Sequence, residues 1–229
     1  MAKNYGKNYT SPYEKAIKNI DKIIENLSKT YPDANATSLE YKTPFELLIA
    51  TILAAQSTDK LVNKVTKKLF KKYKSPEDFA KADLMELQED IKSTGFYRNK
   101  AISIIRCSQD LINKFNGKVP DTIEDLTKLH GVGRKTANVI LANVFGKQSI
   151  IVDTHMRRIS NLIGLTINKD PVKIEFDLQK IIPENQWTNF SNKIIAHGRA
   201  ICIAGRPKCE ICPISEYCRY YNDQSKEYV

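Results

Sequence analysis

Two short stretches of this chain place reactive residue types at spacings that do chemistry. The first is Leu129-His130-Gly131-Val132-Gly133-Arg134-Lys135-Thr136-Ala137. Two glycines one residue apart permit a tight turn with positive φ and leave the backbone bare. A phosphate can then approach the N–H groups of Gly131, Gly133 and their neighbours, and the next helix adds the positive end of its dipole. Lys135 falls in the first turn of that helix, where the dipole disfavours a cation. Such a lysine serves either as a point charge for phosphate or as an amine held neutral enough to attack carbon. Asp153, in Val152-Asp153-Thr154-His155, stands 18 residues further on. It is placed to cap a helix beginning near Thr154. Beside Lys135 it would instead take up the amine's proton or stabilise positive charge developing on a sugar.

The second stretch is Cys202-x6-Cys209-x2-Cys212-x5-Cys218, four of the five cysteines of the chain. Clustered thiols without a recognisable secretory leader point to metal rather than disulfides. Four thiolates suit tetrahedral zinc or a [4Fe–4S] cluster. Only Cys209 and Cys212 form a close pair, and that lopsided spacing favours the cluster. Arg199, Arg206, Lys208 and Arg219 interleave with these ligands and offer a second grip on phosphate. The metal group also serves as a staple for a tail too short to build its own core. Cys107, alone in an apolar helical stretch, reads as a buried thiol.

The elements that must position these groups are helical almost throughout. Ile17, Ile20, Ile24 and Leu27 recur on one helical face. Thr43-Pro44-Phe45-Glu46 predicts a helix start with Glu46 closing a capping box; Ser75-Pro76-Glu77-Asp78 repeats the signal and Asp170-Pro171 gives a weaker one. Helices are predicted over Thr122–Leu129 and Thr136–Phe145, making a helix–hairpin–helix at about residues 122–145, a device that grips the DNA backbone without reading sequence. Lys60 to Lys74 reads as an amphipathic helix with Leu61, Val65, Leu69 and Phe70 inward and a solvated basic face outward. Ile150-Ile151-Val152 is the best strand candidate, with nothing to pair it. About ten helices and no substantial sheet are expected, an all-α fold.

The 229 residues are 41% hydrophobic and 27% charged, with a net charge of +10. That is long enough for one large domain or two small ones, and too apolar for a disordered chain. The longest nearly apolar run, Leu47 to Ala55, falls far short of the ~20 residues of a membrane span. The opening MAKNYGKNYTSPYEK has no apolar segment of the secretory kind. A cytosolic globular protein is expected, and the basic excess favours nucleic acid as partner.

In this order and spacing, the hairpin string, Val152-Asp153-Thr154-His155 and the x6–x2–x5 cysteine loop resemble bacterial endonuclease III, a family of bifunctional DNA glycosylases and abasic-site lyases in the helix–hairpin–helix superfamily. The likeness runs from Pro44-Phe45-Glu46-Leu47-Leu48 and Ala54-Ala55-Gln56-Ser57-Thr58-Asp59 through to Cys218. The resemblance implies two helical lobes. One is a six-helix barrel over 37–147 ending in the hairpin; the other, 1–36 with 148–229, carries the cluster.

The resemblance further implies that Lys135 is the Schiff-base lysine and Asp153 the essential aspartate. Gln56 matches the residue that fills the gap left by a flipped nucleotide, and Phe96 an apolar wedge. Gly131, Val132, Gly133, Arg134, Thr136, His155 and Arg206 are the expected contacts to the DNA backbone. Cys202, Cys209, Cys212 and Cys218 are the expected ligands of a [4Fe–4S] cluster. One departure is His130, where bacterial members usually have proline. The implied function is removal of oxidised pyrimidines from damaged double-stranded DNA and cleavage of the abasic site, by a monomer in the bacterial cytoplasm at the nucleoid, with no membrane partner. Two competing readings stand beside it. A monofunctional adenine glycosylase usually lacks a lysine at position 135 and adds a C-terminal domain. A non-catalytic iron–sulfur DNA-binding protein needs neither Lys135 nor Asp153.

Overall fold

The computed structural model describes residues 11–34 and 37–224; the opening segment read for a secretory signal lies largely outside them. Helices follow one another as α1 (Ser11–Lys18), α2 (Ile20–Thr30), α3 (Pro44–Leu53), α4 (Asp59–Lys72), α5 (Pro76–Ala80), α6 (Leu84–Ile91), α7 (Tyr97–Phe115), α8 (Ile123–Leu126), α9 (Arg134–Val144), α10 (Thr154–Ile163), α11 (Pro171–Ile181), α12 (Trp187–Ala200) and α13 (Arg219–Gln224). Short 3₁₀ turns include Lys92–Thr94, Cys209–Ile211 and Ser215–Tyr217. Among the described residues there are thirteen α-helices and no strand, so the fold is all-α. The helix expected over Thr122–Leu129 is shorter, α8 spanning Ile123–Leu126, and the start signal at Ser75-Pro76 opens the five-residue α5.

The chain divides into two compact units, Thr37–Lys147 and Met1–Ala36 with Gln148–Val229. The first is built about α3, whose Phe45 and Leu47 to Leu53 are buried, with only Glu46 of that stretch half-buried. Leu47, Leu48, Phe79, Leu87, Ile91, Ile104 and Leu111 are fully buried around it. Phe79 of α5 stacks at an angle on both Phe45 and Tyr73. The second unit packs α10 against α12 and α12 against α2, around Ile23, Leu27, Met156, Leu178, Phe190 and Ile194.

Local sequence sets the helix starts. The Thr43 hydroxyl accepts the Glu46 N–H at 3.1 Å, and Pro44 occupies the first turn. Glu46 does not close the box on Thr43, because its carboxylate accepts the N–H of Lys42 at 2.6 Å instead. Ser75 and Asp78 do form a reciprocal box, and Asp170 caps α11 by accepting the Lys173 N–H at 2.9 Å. Two expected faces are turned. The basic helix α4 buries Val62, Val65, Thr66 and Leu69 and leaves Leu61 and Phe70 half-buried. At the N-terminus a break at Asn19 separates α1 from α2, so Ala16, Ile20, Ile23 and Leu27 face inward while Ile17 and Ile24 are half-buried. Ile150-Ile151-Val152 is extended and buried but belongs to no sheet: the Ser149 and Ile151 N–H groups donate to the hydroxyls of Thr188 and Ser191 on α12.

Candidate nucleic-acid interface and cluster site

The hairpin is anchored from beneath and open on top. Thr122 caps the four-residue α8 by accepting the Asp125 N–H. Leu129 and Val132 are buried, and the Val132 N–H closes the turn on the Leu129 carbonyl at 3.1 Å. Gly131 has φ +77, and a Cβ there would meet the Ser103 Cβ at 2.7 Å, so only glycine lets the turn lie against α7. Gly133, at φ −88, faces open space: nothing stands within 4 Å of where its Cβ would be. It is the N-cap of α9 and supplies no side-chain cap of its own. The helix begins two residues earlier than predicted. Lys135 is exposed in its first turn, between half-buried Arg134 and Thr136.

His130 is exposed, and its backbone N–H donates to the Asp110 carboxylate of α7 at 2.9 Å. A proline at that position has no hydrogen to give. Gln56 and Phe96 are both exposed and both left-handed, at φ 55 and φ 49, which is costly for residues other than glycine. Phe96 is 63% exposed, on a tip preceded by Gly95 at φ 69.

In the other unit, Asp153 is the N-cap of α10. Its Oδ1 accepts the Met156 N–H at 2.8 Å, and Oδ2 has no hydrogen-bond partner among the described residues. The capping role is thus real, and it leaves one carboxylate oxygen for chemistry. His155 is half-buried against α12, where a Cβ on Gly198 would stand 2.5 Å from its Nδ1. Arg206 is exposed on the loop between Cys202 and Cys209, next to Gly205 at φ 76.

Cys202, Cys209, Cys212 and Cys218 are free thiols lining one cavity with Ile159, Ile163 and Ile214. Burial pushes the Cys212 thiol up to about 11, and the neighbouring thiols Cys218, Cys202 and Cys209 add to the shift. Cys209 and Cys218 are raised by burial and by their fellow cysteines in the same way. Four thiolates so placed repel one another and require positive charge among them, as iron supplies. Among the described residues no three ligand-type side chains close on one point as a single ion demands. Four thiols lining one cavity are the donor set that a [4Fe–4S] cluster takes.

Three residues that carry no local sequence signal buttress these thiols. Arg158 donates to the Cys202 carbonyl at 2.6 Å and faces its Sγ at 3.5 Å. Buried His197 places Nε2 3.6 Å from the Cys212 Sγ and Nδ1 3.0 Å from the Tyr31 hydroxyl. Burial, with Arg158 nearby, pulls the His197 pKa down to about 4, which keeps the ring neutral. Neutral imidazole has one N–H, so the ring links the Tyr31 hydroxyl to the Cys212 sulfur, donating to one of them.

Residues 49–184 match the model of the HhH-GPD superfamily of base excision DNA repair proteins, and residues 202–218 that of the iron–sulfur binding domain of endonuclease III. The chain is 49% identical to the endonuclease III of Synechocystis sp. over 86% of its own length and 90% of that protein's. Against the endonuclease III of Bacillus subtilis it is 42% identical, with 92% and 96% covered. Among solved structures it resembles a trapped endonuclease III–DNA covalent intermediate, with a TM-score of 0.86 and 43% identity, covering 91% of this chain and 98% of that one.

Proposed function

Because the chain belongs to the endonuclease III family of helix–hairpin–helix base-excision repair proteins, we propose that Lys135 and Asp153 carry its chemistry on damaged double-stranded DNA. The protein is a DNA N-glycosylase and abasic-site lyase that binds DNA and holds a [4Fe–4S] cluster. Its proposed substrates are oxidised pyrimidines. The observation that carries the reading is Lys135, exposed in the first turn of α9 directly after a hairpin whose Gly133 leaves the backbone open.

Gly131, Val132, Gly133, Arg134 and Thr136 hold the DNA backbone, and His155 and Arg206 add phosphate contacts. Gln56 enters the gap left by the extruded nucleotide, and Phe96 acts as the wedge. The Lys135 amine attacks the sugar C1′, so that a C–N bond forms as the glycosidic bond breaks and the base leaves with the bonding pair and a proton. The amine sheds one proton as the departing base takes one up, and Asp153 stabilises positive charge developing on the sugar. Opening of the ring yields a Schiff base on Lys135, which acidifies the C2′ hydrogen. Loss of that proton expels the 3′ phosphate by β-elimination, and water then frees the lysine. Cys202, Cys209, Cys212 and Cys218 hold the cluster, whose bonds to four thiolates cross-link the loop that presents Arg206.

The working form is a monomer in the bacterial cytoplasm at the nucleoid, without a membrane partner. No helix among the described residues is long and apolar enough to cross a membrane. The test is borohydride trapping on a duplex carrying one abasic site or one oxidised thymine, with Lys135→Ala alongside. A covalent adduct with the unaltered chain only is expected. Tight binding without an adduct would remove the lyase role from Lys135 and favour a monofunctional adenine glycosylase or a DNA-binding protein.

A further inference from the structure

Among the described residues Lys100 is the most deeply buried lysine, at 5% exposure, and pairs with no carboxylate. Its Nζ donates to the Leu53 carbonyl at 2.7 Å and to the Thr94 carbonyl at 2.8 Å. Burying an ammonium is costly, and burial does pull the Lys100 pKa below its ordinary value. Leu53 is the last residue of α3 and Thr94 the last of a 3₁₀ turn. Both carbonyls are at the negative ends of helical segments, where a cation is favoured.

The two carbonyls lie just upstream of two exposed residues. Gln56 comes three residues after Leu53, and Phe96 two after Thr94. Among the described residues these are two of the three non-glycine residues with positive φ, and each is exposed. The hydroxyl of Ser57, beside Gln56, is buried without a hydrogen-bond partner. Strained backbone and an unpaired hydroxyl persist only where the surroundings enforce them. The third such residue, Asn116, has an ordinary explanation, since it ends α7 ahead of Gly117. Phe96 is the N-cap of α7, a position that is ordinarily extended, and Gln56 lies in the turn that follows α3 without a glycine beside it. The backbone N–H of Lys100 also donates to the Phe96 carbonyl at 3.1 Å, so one residue holds the Phe96 tip through its main chain and its side chain.

We propose that Lys100 is a positioning residue whose ammonium ties the turn bearing Gln56 to the turn bearing Phe96, holding both side chains in their projecting, left-handed conformations for entry into the duplex. The proposal rests on the reading of Gln56 and Phe96 as the residues that enter DNA. It assigns Lys100 no contact with substrate. Removing the ammonium leaves two buried carbonyls unpaired and frees the turns to relax independently, so the loss falls on recognition of a gap in the stack.

The experiment compares the full, cluster-loaded chain with Lys100→Met, which keeps the aliphatic stem, and with a Gln56→Ala/Phe96→Ala background with and without Lys100→Met. Dissociation constants are measured for a duplex with one tetrahydrofuran site and for the same duplex undamaged. 2-Aminopurine opposite the tetrahydrofuran reports filling of the gap by its fluorescence. Lys100→Met should lower the preference for the damaged duplex about tenfold and alter the 2-aminopurine signal, while Lys100→Met on the double-alanine background costs no further preference. An unchanged preference, or the same loss on both backgrounds, would overturn the clamp. Full preference retained by Gln56→Ala/Phe96→Ala itself would instead show that these residues do not enter the duplex. If Lys100→Met does not fold, Lys100→Gln takes its place in the comparison. Failure of both to fold makes Lys100 a purely structural lysine and ends the proposal.

Discussion

The backbone N–H of His130 donates to the carboxylate of Asp110 at 2.9 Å, and Lys114 holds the same carboxylate at 2.6 Å. The bond fixes the entry of the hairpin to the long helix α7. Burial alone would raise the Asp110 pKa, but Lys114 and the His130 N–H outweigh it and hold the carboxyl below its ordinary value. A depressed carboxyl contributes stability that is present above its unfolded pKa and lost as pH falls through the folded one. Asp110→Asn should therefore lower the melting temperature at pH 7 by about 2–6 °C, for a loss of about 1–2 kcal/mol. The difference from the unaltered chain should shrink towards pH 3, about a unit below the ordinary carboxylate value. His130→Pro removes the donor but leaves the Asp110–Lys114 pair in place, so its loss should persist at low pH where that of Asp110→Asn shrinks. A pH-independent difference for Asp110→Asn in calorimetry would show that the bond contributes nothing.

The two hairpin glycines should fail in different ways. Gly131→Ala forces a left-handed backbone on alanine and drives its methyl into Ser103. It should cost about 1–3 kcal/mol of stability. Ser103→Gly should return part of that loss, because it relieves the contact and not the backbone. Gly133→Ala meets nothing and has an ordinary φ, so its melting temperature should stay within about 2 °C, the shift expected from about 0.5 kcal/mol. Its methyl instead obstructs the approach of phosphate, and affinity for duplex DNA should fall severalfold. Equal melting and affinity losses in the two variants would mean that the turn is structural on both sides.

Much of this was legible in sequence where causes are local. The caps at Thr43, Ser75 and Asp170 involve groups three or four residues apart, and the side chain and the N–H it satisfies are both in view. The inward faces of α2 and α4 were set off by one or two positions, because apolar period alone does not say which neighbour a helix meets. Ile150 to Val152 reads as a strand, yet the Ile151 N–H donates to the Ser191 hydroxyl 40 residues away. Lys100 was illegible: lysine is a surface residue by default, and only the helix ends brought to its Nζ allow its burial. The helpers of the cysteine loop, Tyr31, Arg158 and His197, come from three separate helices or helix ends, so no motif spacing records them.

Cluster loss should be felt locally first. Cys212→Ser replaces one thiol of the four with a poor iron ligand and should abolish the visible absorption of the purified protein. The loop from Cys202 to Cys218 contains only two 3₁₀ turns, so the cluster supplies most of its order. Limited proteolysis should then cut within that loop, at Arg206 or Lys208, well before it cuts the buried helix α3. A loop that resists protease without the cluster would make the metal group redundant for folding.

Asp153 offers the sharpest separation of stability from chemistry. Its Oδ1 caps α10 through the Met156 N–H, while Oδ2 is left to act on a sugar or an amine. Asparagine caps a helix as well as aspartate does, so Asp153→Asn keeps the hydrogen bond and changes stability by only a few tenths of a kcal/mol. Asp153→Ala removes the cap and should cost about 1 kcal/mol. If capping were the whole role, turnover on an oxidised-thymine duplex would follow that order, with the asparagine variant near normal. The carboxylate's assigned part in bond breaking requires the reverse. Both variants should lose turnover by about two orders of magnitude or more, irrespective of their melting temperatures, with duplex affinity little changed. Single-turnover rates beside thermal melts decide it, and a normal rate for Asp153→Asn would leave Asp153 a helix cap alone.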